Sequence, residues 1–206
     1  MNGSKARVAV LVSGGGTNLQ AILDAERAGK IPSGQVALVV SNVPGAYALT
    51  RAENAGVRTA VVSVKACGSK AAFEEKLIET LDAEKIDFIV LAGFLVILSE
   101  RFVKHYERRI INVHPSLIPS FCGEGFYGLK VHEAALNKGV KVTGATVHFV
   151  NEIPDGGEII LQKAVRIYEN DTPEKLQLRV MRQAEWKLLP QALEKVCKEY
   201  LNKKGE

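Results

Sequence analysis

The chain has 206 residues, 47% hydrophobic and 24% charged, with 27 basic against 23 acidic side chains and a formal charge of +4. That length can bury a core without disulfide or metal staples, and the composition excludes intrinsic disorder. No apolar run reaches the ~20 residues that a bilayer requires, so no membrane role is expected.

The opening MNGSKARVAVLV runs into glycines, not into a signal-peptide cleavage site. The mild basic excess suits an anionic small molecule and argues for no nucleic acid. Three scattered cysteines, Cys67, Cys122 and Cys197, form no metal-type pair and imply a reducing, cytoplasmic setting without structural zinc.

Strand and helix signals then alternate along one domain. Arg7–Val12, Val36–Ser41, Val57–Val62 and Asp87–Leu91 are short, β-branched and nearly continuous, as strands covered on both faces are. Helical spacing falls between them, over Asn18–Ala28, Ala46–Ala55 and Ser69–Glu84; in the last, Phe73, Leu77 and Leu81 form one stripe. A fifth strand, Ile110–Val113, and a helix over Val131–Asn137 follow. Two longer runs, Thr143–Val150 and Glu158–Ile167, flank the short loop 151–157, as in an antiparallel hairpin. A last helix is predicted from about Pro173, capped by Asp171 or Thr172, to about Tyr200, with Pro190 kinking or breaking it. The expected class is α/β: a doubly wound, mostly parallel sheet with an antiparallel C-terminal hairpin.

The loop after strand one is Ser13-Gly14-Gly15-Gly16-Thr17-Asn18. Glycines at a helix start free N–H groups to meet an anion. A Walker A loop would end in Gly-Lys-Ser/Thr, and no lysine is present. A dinucleotide fingerprint would place its third glycine where Leu19 stands and an acid where strand two ends in Ser41-Asn42. A cradle for one phosphate or a plain tight turn remains.

Strand five ends in Asn112-Val113-His114-Pro115-Ser116. Asn112 and His114 share one face of an extended chain, beyond which ligands of such sheets bind. An amide beside an imidazole suits a developing oxyanion; a buried, satisfied histidine is the plainer alternative. Asp155-Gly156-Gly157 reads as an ordinary turn, yet a carboxylate brought near His114 would raise the imidazole pKa. No nucleophile elbow and no histidine cluster of metal spacing is present, so the available chemistry is acid–base and electrostatic. His148 reads as a supporting residue beside the site, His105 and His132 as surface helix residues, and Cys122 as non-catalytic.

SGGGTNLQAIL, LAGFLVIL, INVHPSLIPSF, VTGATVHFV and the Asp-Gly-Gly turn, in this order, resemble the phosphoribosylglycinamide formyltransferases, across about Val8 to Pro190. The resemblance implies a Rossmann-like formyltransferase fold for 1–206, with a ribotide phosphate-binding half (1–100) and a folate-binding and catalytic half (101–206). It implies formyl transfer from the co-substrate 10-formyltetrahydrofolate to the amine of 5-phosphoribosylglycinamide in purine synthesis, without a metal. Gly14, Gly15, Gly16, Thr17 and Asn18 would hold the ribotide phosphate; Arg182 and Glu185 would contact the ribotide, Glu185 at its glycinamide amino end. Lys70, Leu95, Val96, Ile97, Leu98 and the loop Asn151, Glu152, Ile153, Pro154, Asp155 would take the folate, with Asn112 also at its edge. Asn112, His114 and Asp155 match the catalytic trio, with Asp155 keeping His114 charged. A monomer or a homodimer fits equally. The chain begins at strand one and stops soon after its last helix, which implies neither the regulatory domain of formyltetrahydrofolate deformylases nor the RNA-binding domain of methionyl-tRNA formyltransferases. One departure from the family pattern is a longer stretch, Phe121–Gly128, after the proline-rich turn.

Overall fold

The computed structural model describes residues 5–204. Strand β1 (Ala6–Val12) is buried at every position except Arg7. Its alternate residues feed two cores: Ala6, Val8, Val10 and Val12 enter one, Ala9 and Leu11 the other. A run this apolar has no face to give to water, so helices must cover both sides. The remaining strands are β2 (Gly34–Ser41), β3 (Arg58–Val61), β4 (Phe88–Leu91), β5 (Ile110–His114), β6 (Val142–Phe149) and β7 (Ile159–Arg166). They form one seven-stranded sheet in the order β3-β2-β1-β4-β5-β6-β7. Pairing is parallel from β3 to β5 and antiparallel over β5–β6 and β6–β7, the doubly wound sheet with a C-terminal hairpin that the sequence implies.

Helices α1 (Thr17–Arg27), α2 (Tyr47–Asn54), α6 (Leu129–Lys138), α7 (Pro173–Val180) and α8 (Trp186–Lys204) close the first core. The second lies under α4 (Lys70–Ala83) and α5 (Glu100–His105), with the short α3 (Val64–Cys67) beside them. The stripe Phe73, Leu77 and Leu81 is at most 1% exposed, and each such side chain contributes roughly 1.5–3 kcal/mol. Neither α3 nor α5 carries an amphipathic signal long enough to read from sequence; each is started by a serine, Ser63 and Ser99, whose hydroxyl accepts a first-turn N–H.

The last helix departs from expectation. Thr172 caps it by accepting from Lys175 N–H, while Asp171 pairs with Arg179. Pro190 does not break it: α8 runs through to Lys204. The irregularity comes earlier, as a π turn over Met181–Glu185. The π turn leads directly into α8, whose fifth residue is Pro190.

Candidate active site

The carboxyl ends of β1, β4 and β5 lie side by side, and the three candidate segments leave from them. Gly16 closes the glycine loop at φ 70, and a Cβ there would sit 2.6 Å from the Ala48 Cβ, so only glycine fits. Carbonyls of the loop are tied back: Gly14 O accepts from Ala48 N–H, Gly15 O from Arg51 Nε and Gly16 O from Gln20 N–H. Helix α1 starts at Thr17 with no side-chain cap and no acid in its first turn. Its first N–H groups therefore lack intrahelical partners and suit an anion. Asn18 Nδ2 donates to Glu185 at 2.8 Å, joining the loop to the π turn. Glu185 is buried, and burial pushes its carboxyl up to about 7 against the opposing Asn18 bond. Arg182 stays exposed on the same turn. The structure thus brings Glu185 to the glycine loop from the far end of the chain.

In β5, Ile111 and Val113 point into the first core, which turns Asn112 and His114 to the opposite face. Both reach Asp155: Asn112 Nδ2 lies 3.5 Å from Oδ1, and His114 Nδ1 lies 3.3 Å from Oδ2. Asp155 holds φ 55, and a Cβ on Gly157 would stand 1.7 Å from the Phe149 carbonyl, so the Asp-Gly-Gly turn fits this hairpin tip only without side chains at its end. His148 is more than a bystander. The β5–β6 register sets it opposite Asn112, with Nε2 3.3 Å from Asn112 Nδ2 and 3.5 Å from Asp155 Oδ1, while Nδ1 lies 2.8 Å from the Phe149 carbonyl.

The longer stretch Phe121–Gly128 folds onto these residues. His114 Nε2 donates to the Phe121 carbonyl at 2.8 Å, and Gly123 N–H donates to Asp155 Oδ2 at 2.9 Å. Both imidazole nitrogens therefore face oxygen, which suits the imidazolium. Burial nevertheless pushes the His114 pKa below its ordinary value, more than Asp155 and the Phe121 carbonyl push it up. The expectation that the carboxylate keeps His114 charged needs this correction: the carboxylate is adjacent, but desolvation prevails. For Asp155 the balance is reversed. Burial would raise it, but His148, the Gly123 N–H and His114 together hold it below the usual carboxylate range. His132, expected on the surface, is fully buried and falls to about 4, through burial first and His114 second. Burial, then Asp155, pushes the Cys122 thiol up, away from reactivity.

Beside this cluster, residues 92–98 alternate like a strand. Phe94, Val96 and Leu98 pack on the second core, while Leu95 and Ile97 stand 69% and 68% exposed. Of the four residues expected to line a pterin slot, Leu95 and Ile97 thus present exposed side chains while Val96 and Leu98 turn theirs to the core. Ile153 is exposed in the loop 151–155, which an Asn151 side-chain bond to Ile153 N–H shapes. Lys70 stands exposed at the first position of α4. Sequence reasoning missed the Phe121 carbonyl and the Gly123 N–H, since backbone groups leave no residue-type signal. The bonds of His148 were hidden in a strand register that the alternation Val147-His148-Phe149 does not reveal.

The family profile described as Formyl transferase matches residues 6–193. The chain is 42% identical over 176 residues to the phosphoribosylglycinamide formyltransferase of Escherichia coli (strain K12), covering 85% of this chain and 80% of that protein. It is 45% identical over 195 residues to the trifunctional purine biosynthetic protein adenosine-3 of Bos taurus, covering 94% of this chain but spanning only 18% of that relative's length. The solved structure of glycinamide ribonucleotide transformylase 1 from Symbiobacterium toebii matches with a TM-score of 0.88 at 40% identity, over 97% of this chain and 94% of that one. On the family match over residues 6–193 and these likenesses in sequence and fold, the chain belongs to the formyl transferase family, in the company of the phosphoribosylglycinamide formyltransferases.

Proposed function

We propose that the chain transfers the formyl group of 10-formyltetrahydrofolate to the amino group of 5-phosphoribosylglycinamide, a step of purine synthesis. The observation that carries the reading is the convergence of Asn112, His114 and Asp155 at the end of β5, next to the exposed Leu95 and Ile97 after β4 and the uncapped helix start after β1. In that order the three segments suit a reacting centre, a pterin and a ribotide phosphate. The N–H groups of Gly14–Asn18 would take the phosphate, and Arg182 and Glu185 the rest of the ribotide, with Glu185 toward its glycinamide amino end. Lys70 and the loop Asn151–Asp155 would close over the folate.

The amine nitrogen attacks the formyl carbon, and negative charge grows on the formyl oxygen. Asn112 donates a hydrogen bond to that oxygen, and His114 becomes its charged partner. Because burial disfavours the imidazolium in the resting site, His114 is ready to accept the amine proton. Asp155 and the Phe121 carbonyl then stabilise the cation as it forms. The carbon–nitrogen bond to the folate breaks as the proton passes to the departing nitrogen, leaving tetrahydrofolate. Asn112, His114 and Asp155 supply this acid–base and electrostatic chemistry themselves, so the reaction calls for no metal. On this reading residues 1–206 act as one catalytic unit in the cytoplasm, as a monomer or homodimer acting on small molecules without nucleic acid or membrane. The ribotide half (1–100) and the folate and catalytic half (101–206) share both sites on this reading, and the Asn18–Glu185 bond is one of the links between them.

One assay decides. The protein is mixed with 5-phosphoribosylglycinamide and 10-formyltetrahydrofolate, and tetrahydrofolate release is followed. Release that requires the ribotide is the expected result. Release without it makes the protein a hydrolase, and no release makes it a binding protein; either overturns the proposal.

A further inference from the structure

The segment that presents Leu95 and Ile97 is weakly held for one that must shape a slot. Among the described residues, Gly93–Leu98 make a single hydrogen bond: Leu95 N–H donates to Ser13 Oγ at 2.9 Å. Fixed points flank the segment on either side. Ala92 N–H donates to Leu11 O, and Ser99 is held by the buried Glu74 carboxylate. Ser13 itself is 8% exposed, and its hydroxyl donates to Asn42 Oδ1 at 2.6 Å. One hydroxyl thus spans the carboxyl ends of β1, β2 and β4. It also stands immediately before Gly14, at the root of the loop assigned to the ribotide phosphate.

We propose that Ser13 is a positioning residue that sets the folate slot at a fixed offset from the ribotide loop; this rests on the function proposed above. The Asn42 carbonyl oxygen accepts the Ser13 proton, which turns the hydroxyl lone pair toward Leu95 N–H. Removing the hydroxyl takes away the one bond that holds Leu95 N–H in a part-buried position, and the segment shifts to find water. The glycine loop should not follow it. Its carbonyls are anchored by Ala48, Arg51 and Gln20, none of which involves Ser13. The two substrates should therefore respond unequally, which a general loss of structure would not produce.

Tetrahydrofolate binding by calorimetry, KM for both substrates and the melting temperature are to be compared in wild type, Ser13→Ala and Ser13→Thr. Ser13→Ala is expected to weaken tetrahydrofolate binding and raise the formyl-donor KM by up to about tenfold, the size of one lost hydrogen bond. The ribotide KM should stay within about twofold, and Ser13→Thr, which keeps the hydroxyl, should restore the donor KM. A folded Ser13→Ala protein with unchanged tetrahydrofolate affinity, or with both KM values raised equally, overturns the inference. Should Ser13→Ala fail to fold, Asn42→Ala removes only the acceptor that orients the hydroxyl; it should raise the donor KM in the same direction, and an unchanged value overturns the inference as well. Wild-type protein that binds tetrahydrofolate but transfers no formyl group fails the proposed reaction alone, because the affinity comparison still reads the Ser13 contact.

Discussion

His114 sits under two opposing influences, of which the first prevails: burial lowers its pKa, while the carboxylate at 3.3 Å and a carbonyl at 2.8 Å raise it. Asn112→Ala removes a donor to the growing oxyanion and is expected to cut kcat ~10²–10³-fold, and His114→Ala at least as much, with the ribotide KM little changed in steady-state kinetics. A base must be unprotonated to act, so kcat/KM should rise with pH to a plateau, through an apparent pKa below the ordinary histidine value of 6.5. In Asp155→Asn the group that raises this pKa is gone. The rise should then move to still lower pH on a much lower plateau, and a shift upward would contradict the assignment.

At the scale of elements, tight backbone positions carry the site. Gly157→Ala would put a methyl group 1.7 Å from the Phe149 carbonyl, so the hairpin tip must open and carry Asp155 with it. Activity should fall at least 10²-fold, as a displacement of about 1 Å in a reacting group does, in a protein whose melting temperature is also lower. The π turn has a different signature. Its Glu185 titrates near 7 when folded and near 4.5 when unfolded. Between these values the native state holds a proton that the unfolded chain has lost, so its stabilising contribution is full below 4.5 and gone above 7. Glu185→Gln should therefore gain stability relative to wild type as the pH rises from about 4.5 to about 7, as read in urea unfolding. These elements also mark how far the sequence could be read. The strands and the long helices were legible because apolar periodicity carries them, whereas Asn112, His114 and Asp155 were named together only through the family resemblance. The π turn, α5 and the closure of Phe121–Gly128 over His114 were not legible. They depend on backbone geometry, positive φ at Phe121 included, and on long-range packing. His132 was misplaced because its helix position alone does not tell which side meets the core.

For the molecule as a whole, the far end of the sheet is pinned by the last helix. Asp87 accepts from Arg7 N–H at the start of β1 and from the Tyr200 hydroxyl, with Lys204 beside it. Phe88 meets the Tyr200 ring edge-on at 5.3 Å. Tyr200→Phe keeps the ring and loses the hydroxyl, so it should cost about 1 kcal/mol in urea unfolding and leave kcat unchanged. The π turn and the end of α8 thus reach back to earlier parts of the chain, Glu185 to Asn18 and Tyr200 to Asp87. The Asn18–Glu185 bond links residues 167 positions apart. A ribosome adding about 5–20 residues per second delivers the second partner on the order of ten seconds after the first. Through that interval the emerging polypeptide has its glycine loop but no Glu185 to seat against it. On the proposed function, ribotide capture is therefore expected to be among the last properties the newborn chain acquires.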